Sequence, residues 1–236
     1  GLFWKKVKST NPKFAPPLPF THGYANSPAS LVCIEYGLKG SAAVFSGQET
    51  SGIEALLFAR DQIASGSARI MLVCASESLT RPVHAHLNAE KRLSASGRLG
   101  LWQPANDGVV PGEGAACWVV ESEASASARG RVPAACLSEV ALASGEGALT
   151  EALVRLGAME GSTLVCSASP DVHSVDLLEA ASVKARMSSV KSIAVAPKLL
   201  SGELFSVSPL LSGVLAMRVQ PGGKGLSSLA SAPSTQ

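Results

Sequence analysis

An apolar run, Ala42-Ala43-Val44-Phe45, is cut by Ser46-Gly47, and from Gln48 onward Ile53, Leu56, Leu57 and Ile63 recur at helical spacing. This predicts a short buried strand, a sharp turn and a helix reaching about Ser65-Gly66. Such an elbow sets a side chain at a helix N-terminus, where amide groups and the helix dipole favour negative charge. The residue there is Glu49. A catalytic elbow would carry a nucleophile, and glutamate is a poor one for acyl chemistry. Locally the stretch reads as an ordinary helix start, with Gln48 and Glu49 complementing the dipole.

The rest of the chain repeats the theme. Arg69–Ala75 reads as an apolar strand, and Thr80–Asn106 as a long polar loop. Asn106–Glu121 is a glycine-punctuated turn leading into a buried strand, followed by a small helix and turn over Ala124–Gly130. Strands are then expected at Ala134–Ala143, Ser162–Ser167 and Ser192–Ala196, and helices at Ala148–Leu156, Val175–Arg186 and Leu204–Met217. Alternation of this kind gives a layered α/β fold with mainly parallel sheets. Upstream, residues 1–20 hold Lys5, Lys6, Lys8 and Lys13 together with Pro12, Pro16, Pro17 and Pro19, which suggests a short helix and a proline-stiffened basic arm. Phe3 and Trp4 on that arm call for a packing surface. Asn26-Ser27-Pro28 is a helix start and Gly37 its stop. Four segments follow: an arm over 1–20, two halves over 21–130 and 131–220, and a Gly/Ser/Ala/Pro-rich tail over 221–236 expected to be disordered.

The 236 residues are 46% hydrophobic and 16% charged, enough for a large core. A net charge of +2 gives no electrostatic case for nucleic acid. No apolar run approaches a membrane span and no signal peptide is visible, so a cytoplasmic protein away from membranes is expected. Cys33, Cys74, Cys117, Cys136 and Cys166 lack metal spacing, and most sit in apolar runs, as buried inert thiols of a reducing compartment would. His84-Ala85-His86 has no further ligand at suitable spacing and reads as surface loop. The Asp107–Gly114 glycines are no phosphate loop, because a strand and not a helix follows them. No cofactor is expected.

A collinear series of motifs resembles the β-ketoacyl synthases of the thiolase fold. It comprises Asn26-Ser27-Pro28-Ala29, Ile34–Gly40, Ser46–Gly52, Ala75-Ser76-Glu77-Ser78, Asp107–Ala115, Cys166–Pro170 with Asp176 and Glu179, and Ala196–Leu204. The resemblance covers roughly residues 20–218. It implies an internally duplicated αβαβα sandwich, dimeric across the strand that enters the elbow. Relative to the family, the first strand and helix and the closing strands lack counterparts, so the expected fold is truncated at both ends and in need of a partner.

In that family a cysteine and two histidines carry out acyl transfer and decarboxylation. By resemblance Glu49 stands at the cysteine position, Ala168 at the first histidine and Glu203 at the second, while Lys198 is kept. Acyl transfer needs a thiolate that forms and releases a thioester, and an enolate needs neutral or cationic donors. Glu49 and Ala168 cannot meet these needs, and an ionised Glu203 would repel the enolate. The chain is expected not to condense acyl groups.

It most resembles a chain length factor. Such factors are inactive partners that heterodimerise with the active ketosynthase of a type II polyketide synthase and shape the tunnel for the growing chain. The Gln48-Glu49-Thr50-Ser51 elbow and short length are most similar to the compact form of highly reducing, polyene-making systems. Acyl carrier protein would reach this chain through the complex. Phe3, Trp4, Phe14, Phe20, Ala42, Val44, Phe45 and Gln48 are the candidate tunnel and interface residues, and helix amides would hold the Glu49 charge. The alternative is a chain-initiating decarboxylase of malonyl-carrier protein, but such enzymes keep both histidines. A serine hydrolase or acyltransferase using Ser46 or Ser51 lacks a GxSxG motif and a visible His–acid pair.

Overall fold

In a computed structural model, the structure describes residues 2–9, 13, 17–21, 23–99, 107–137, 140–141, 148–155, 163–166, 181, 192–195 and 197–218. The chain divides into two compact units, Gly1–Ser46 and Gly47–Gln236.

The first unit holds three helices among its described residues: α1 (Leu2–Ser9), α2 (Pro17–Thr21) and α3 (Ser27–Glu35). The expected extended arm is therefore partly helical. Proline's fixed φ suits the first turn, which lets Pro17 open α2. Pro28 likewise lies in the first turn of α3 after Asn26. Gly37, at φ 62°, ends α3, and the Leu38 amide reaches back to the Cys33 carbonyl at 2.8 Å. No residue of α3 is fully buried, and Ile34 and Tyr36 are 77% and 72% exposed. Residues 41–46 are irregular, which corrects the strand expected at Ala42–Phe45. An apolar run becomes a strand only where a neighbour completes its ladder, and the described ladders lie elsewhere.

In the second unit a single 3-10 turn, Gln48–Thr50, leads into α4 (Ser51–Ala64). Strand β1 (Ile70–Glu77) follows, then α5 (Arg81–Ala89). Helix α5 falls inside the stretch expected to be loop. Pro82 in its first turn and the apolar pair Val83 and Leu87, four residues apart, explain it; Leu87 is buried. Strand β2 (Gly114–Glu121) precedes α6 (Glu123–Ala128), whose start is capped by Ser122 Oγ accepting from the Ser125 amide. Then come α7 (Ala148–Arg155), β3 (Thr163–Cys166), β4 (Ser192–Val195), α8 (Lys198–Ser201), a second 3-10 turn at Phe205–Val207, and α9 (Ser208–Arg218). Described residues of the expected 134–143 strand are irregular. The 175–186 helix, apart from helical Ala181, and the 221–236 tail lie outside the described residues.

Strands β3 and β4 are parallel, as alternation with helices requires, but β1 and β2 are antiparallel, with Val73 opposite Trp118 and Cys74 opposite Cys117. The pleat sends alternate residues to opposite faces. Met71, Val73 and Ala75 of β1, with Ala116, Trp118 and Val120 of β2, pack with Leu56 and Ala59 of α4 and Leu210 of α9. Trp118 also donates its indole N–H to the Leu210 carbonyl at 3.1 Å. The opposite face carries Ile70, Leu72 and Val119, which are 40–65% exposed. It also carries Cys74 and Cys117, both exposed and joined in a disulfide, which corrects the reading of them as buried inert thiols. The thiols meet because the register pairs these two residues, which their separation of 43 does not reveal.

Candidate functional site

Three segments of the second unit converge: the elbow at 47–52, the glycine-rich entry to β2 at 107–114, and the loop at 197–208. The last is registered by backbone pairing. The Glu203 amide donates to the Val110 carbonyl at 2.7 Å, and the Gly112 amide donates to the Glu203 carbonyl at 2.9 Å. Gly202 makes this possible. It sits at φ 70°, and a Cβ there would lie 2.5 Å from the Val110 carbonyl oxygen. The elbow docks on the same loop, because Gly52 lets α4 come so close that a Cβ would lie 2.2 Å from the Ser206 carbonyl oxygen.

Side chains complete the site. Glu203 and Lys198 are both buried and form an ion pair through Glu203 Oε2 and Lys198 Nζ. The other oxygen, Glu203 Oε1, accepts from the Phe205 amide at 2.6 Å and from Ser208 Oγ at 2.9 Å. Phe205 takes φ 45°, an uncommon value for a residue with a side chain. Glu77, at the end of β1, accepts from Ser206 Oγ at 3.3 Å. Its carboxyl lies above the ordinary range because burial removes solvent; the Ser206 hydroxyl opposes this, and the nearby Glu203 carboxylate adds to it. At the elbow the half-buried Glu49 carboxylate takes the Arg92 guanidinium at 3.2 Å. The Gly47 amide donates to Ser51 Oγ at 2.8 Å. Thus a side-chain cation meets the Glu49 charge, in place of the helix amides expected from the sequence. Arg92 is held in turn where its carbonyl accepts from the Val109 amide at 2.6 Å. Nearby, Asp107 accepts from Ser94, Ser96 and the Ser96 amide, and its carboxyl lies below the ordinary range, chiefly through the Ser94 bond.

Of the residues singled out from the sequence, Lys198 and Glu203 come together, and the 3-10 turn bearing Glu49 packs beside the one that follows Glu203. Ala168 and Phe14 lie outside the described residues, as does the Gln48 side chain. In the first unit, Phe3 stacks with Trp4 and Phe20 at ring centroid distances of 5.3 and 5.2 Å, and Phe20 with Tyr24 at 4.7 Å. Ala42 and Val44 are exposed and Phe45 is half-buried. Sequence reasoning missed Arg92, Ser208, Glu77 and Tyr24 as site or cluster members. No local pattern marks these four, whose contacts are set by the fold. Among the described residues, no group of three or more His, Cys, Asp or Glu side chains could hold a metal.

Residues 5–126 match the family profile of the β-ketoacyl synthase N-terminal domain. The chain belongs to the β-ketoacyl synthase family. No curated protein matches it. Among solved structures it is similar to AntDE:AntF, a type II polyketide synthase acyl-carrier protein in complex with its ketosynthase bound to the hexaketide. That match has a TM-score of 0.73 and 20% identity, over 87% of this chain and 56% of that one. It is also similar to the ishigamide ketosynthase/chain length factor (TM-score 0.71, 18% identity, 90% of this chain and 56% of that one). The oxazolomycin ketosynthase domain of Streptomyces albus JA3453 follows (0.69, 18%, 82% and 37%). The fold is therefore thiolase-like, and the chain spans little more than half the length of the first two structures. No helix among the described residues is long and apolar enough to cross a membrane.

Proposed function

We propose that this chain is a non-catalytic ketosynthase-like subunit. It heterodimerises with an active ketosynthase of a type II polyketide system, meets acyl carrier protein through that complex, and helps set the length of a polyketide or polyene chain. The observation that carries this reading is the buried Lys198–Glu203 pair. The one cation kept from the family's catalytic set is neutralised by a carboxylate at a former histidine position. The elbow position is filled by Glu49, tied to Arg92, and offers no thiolate. Acyl transfer and enolate stabilisation both lack a donor or nucleophile here. The kinds of complex named for AntDE:AntF and the ishigamide proteins agree with such a partner. So do the exposed apolar residues of α3 and of the outer β1–β2 face.

The test is co-expression with candidate ketosynthases, expecting a soluble 1:1 complex that forms product. Replacing Phe3, Trp4, Phe20 or Phe45 by alanine should lengthen the products of that complex. A stable monomer that alone releases carbon dioxide from malonyl-carrier protein would overturn the proposal in favour of a decarboxylase.

A further inference from the structure

Cys74 of β1 and Cys117 of β2 are bridged where the ladder sets them directly opposite, and both are exposed. They lie on the sheet face turned away from the core. The neighbours on that face decide what can reach them. On one side the next pair is Leu72 and Val119; on the other it is Ser76 and Ala115, small and exposed. None of these four is charged, so along the ladder no carboxylate repels an incoming thiolate. The Ser76–Ala115 side leaves it room. We propose that Cys74 and Cys117 form a reversible redox site, a dithiol/disulfide pair that exchanges electrons with small thiols such as glutathione.

A glutathione thiolate attacks one sulfur, forming a mixed disulfide and expelling the other sulfur as a thiolate, which takes a proton. A second glutathione thiolate attacks the glutathione sulfur of that mixed disulfide. Oxidised glutathione leaves, and the second cysteine takes a proton. Two electrons have passed to the chain, and the reverse sequence returns them to oxidised glutathione. Exposure makes a disulfide labile to this exchange, and the fold keeps both states intact. The other ladder pairs, with Val73 and Trp118 packed against Leu56 and Leu210, hold the strands together without the bond. The reduced thiols therefore stay opposite and rejoin without a search. The bond spans a separation of 43 residues. The enclosed segment carries Arg92, which meets Glu49, and Val110 and Gly112, which pair with the backbone of Glu203. Reduction removes the covalent closure and leaves these contacts, so redox state tunes the stability of the segment that positions both acids.

Thiol mapping tests it. The full chain, in whichever assembly is soluble, is equilibrated in graded mixtures of reduced and oxidised glutathione, acid-quenched, alkylated and mapped by peptide mass. Cys74 and Cys117 should gain and lose their linkage together. Their oxidised-to-reduced ratio should change about tenfold for each tenfold change in oxidised glutathione over the square of reduced glutathione. In denaturant the oxidised chain should be the more stable, by on the order of a hundredfold in the folding constant. The Cys74→Ser/Cys117→Ser variant should unfold like the reduced chain and ignore the glutathione ratio. Should that variant not fold, alkylating the reduced native chain supplies the bond-free state for the same comparison. Alkylation of both cysteines at the oxidising limit overturns the proposal, as does a linkage that yields only after the chain is unfolded. An equal glutathione response in the bond-free chain also overturns it.

Discussion

Glu49 and Glu203 are each met by a cation, but in opposite surroundings. The Glu49–Arg92 side chains are 39% and 34% exposed, and the pair is a single contact of 3.2 Å. The Glu203–Lys198 side chains are 2% and 4% exposed, and the spare carboxylate oxygen is fully occupied by Phe205 and Ser208. Water and salt screen the first pair, so it adds little. The second has given up its solvation, so its worth depends on every partner being present. An acid–base pair thus has two outcomes in this chain, a surface tether at the elbow and a structural centre in the loop.

The comparison breaks most visibly at Glu203. E203A should lose about 3–5 kcal/mol in denaturant unfolding, because it breaks a buried ion pair. Replacing both partners by apolar residues, as in K198M/E203L, should cost far less than either single change. If the single and double variants are equally unstable, the contrast with the elbow pair is wrong.

Gly202→Ala comes next. The φ of 70° and the approach to the Val110 carbonyl should cost about 1–3 kcal/mol. The variant should also loosen the pairing of Glu203 with residues 110–112, read as faster amide exchange at Gly112 and Glu203.

Glu77 sharpens the comparison through pH. Its folded-state pKa is raised, so its contribution to stability is fully present below its unfolded value and is lost as pH rises through the folded one. Glu77→Gln should therefore flatten the decline in stability between mildly acidic and neutral pH. An unchanged or steeper decline would show that burial does not hold the Glu77 pKa above its unfolded value.

The smallest effect belongs to Glu49→Ala, which should cost less than about 1 kcal/mol, shrink further in high salt, and leave condensation by the complex intact. Lost turnover with an intact complex would assign Glu49 a chemical role.

Much of the fold was legible because periodicity and punctuation are local. The stop of α3 at Gly37, the length of α4, and β1, β2, α7, β3 and β4 all appear close to where the pattern put them. The misses share a cause. Helix α5 buries one residue fully, Leu87, so its stripe is too thin to stand out from polar neighbours. The start of α9 was placed too early, since nothing local announces the positive φ of Phe205 in the preceding turn. The stretch at 41–46 has the composition of a strand without a described ladder, and pairing is not a property of one segment.

The candidate site divides in the same way. Sequence alone determined which residue types occupy the elbow and the 197–208 loop, and so that no thiol stands at Glu49 and that Lys198 and Glu203 carry opposite charge. Their neutralising each other in a buried cage, Arg92 reaching Glu49, and Cys74 facing Cys117 were decided only by tertiary structure. These contacts join residues as much as 43 positions apart, and burial, which sets the energy of a charge, is a property of the packed chain.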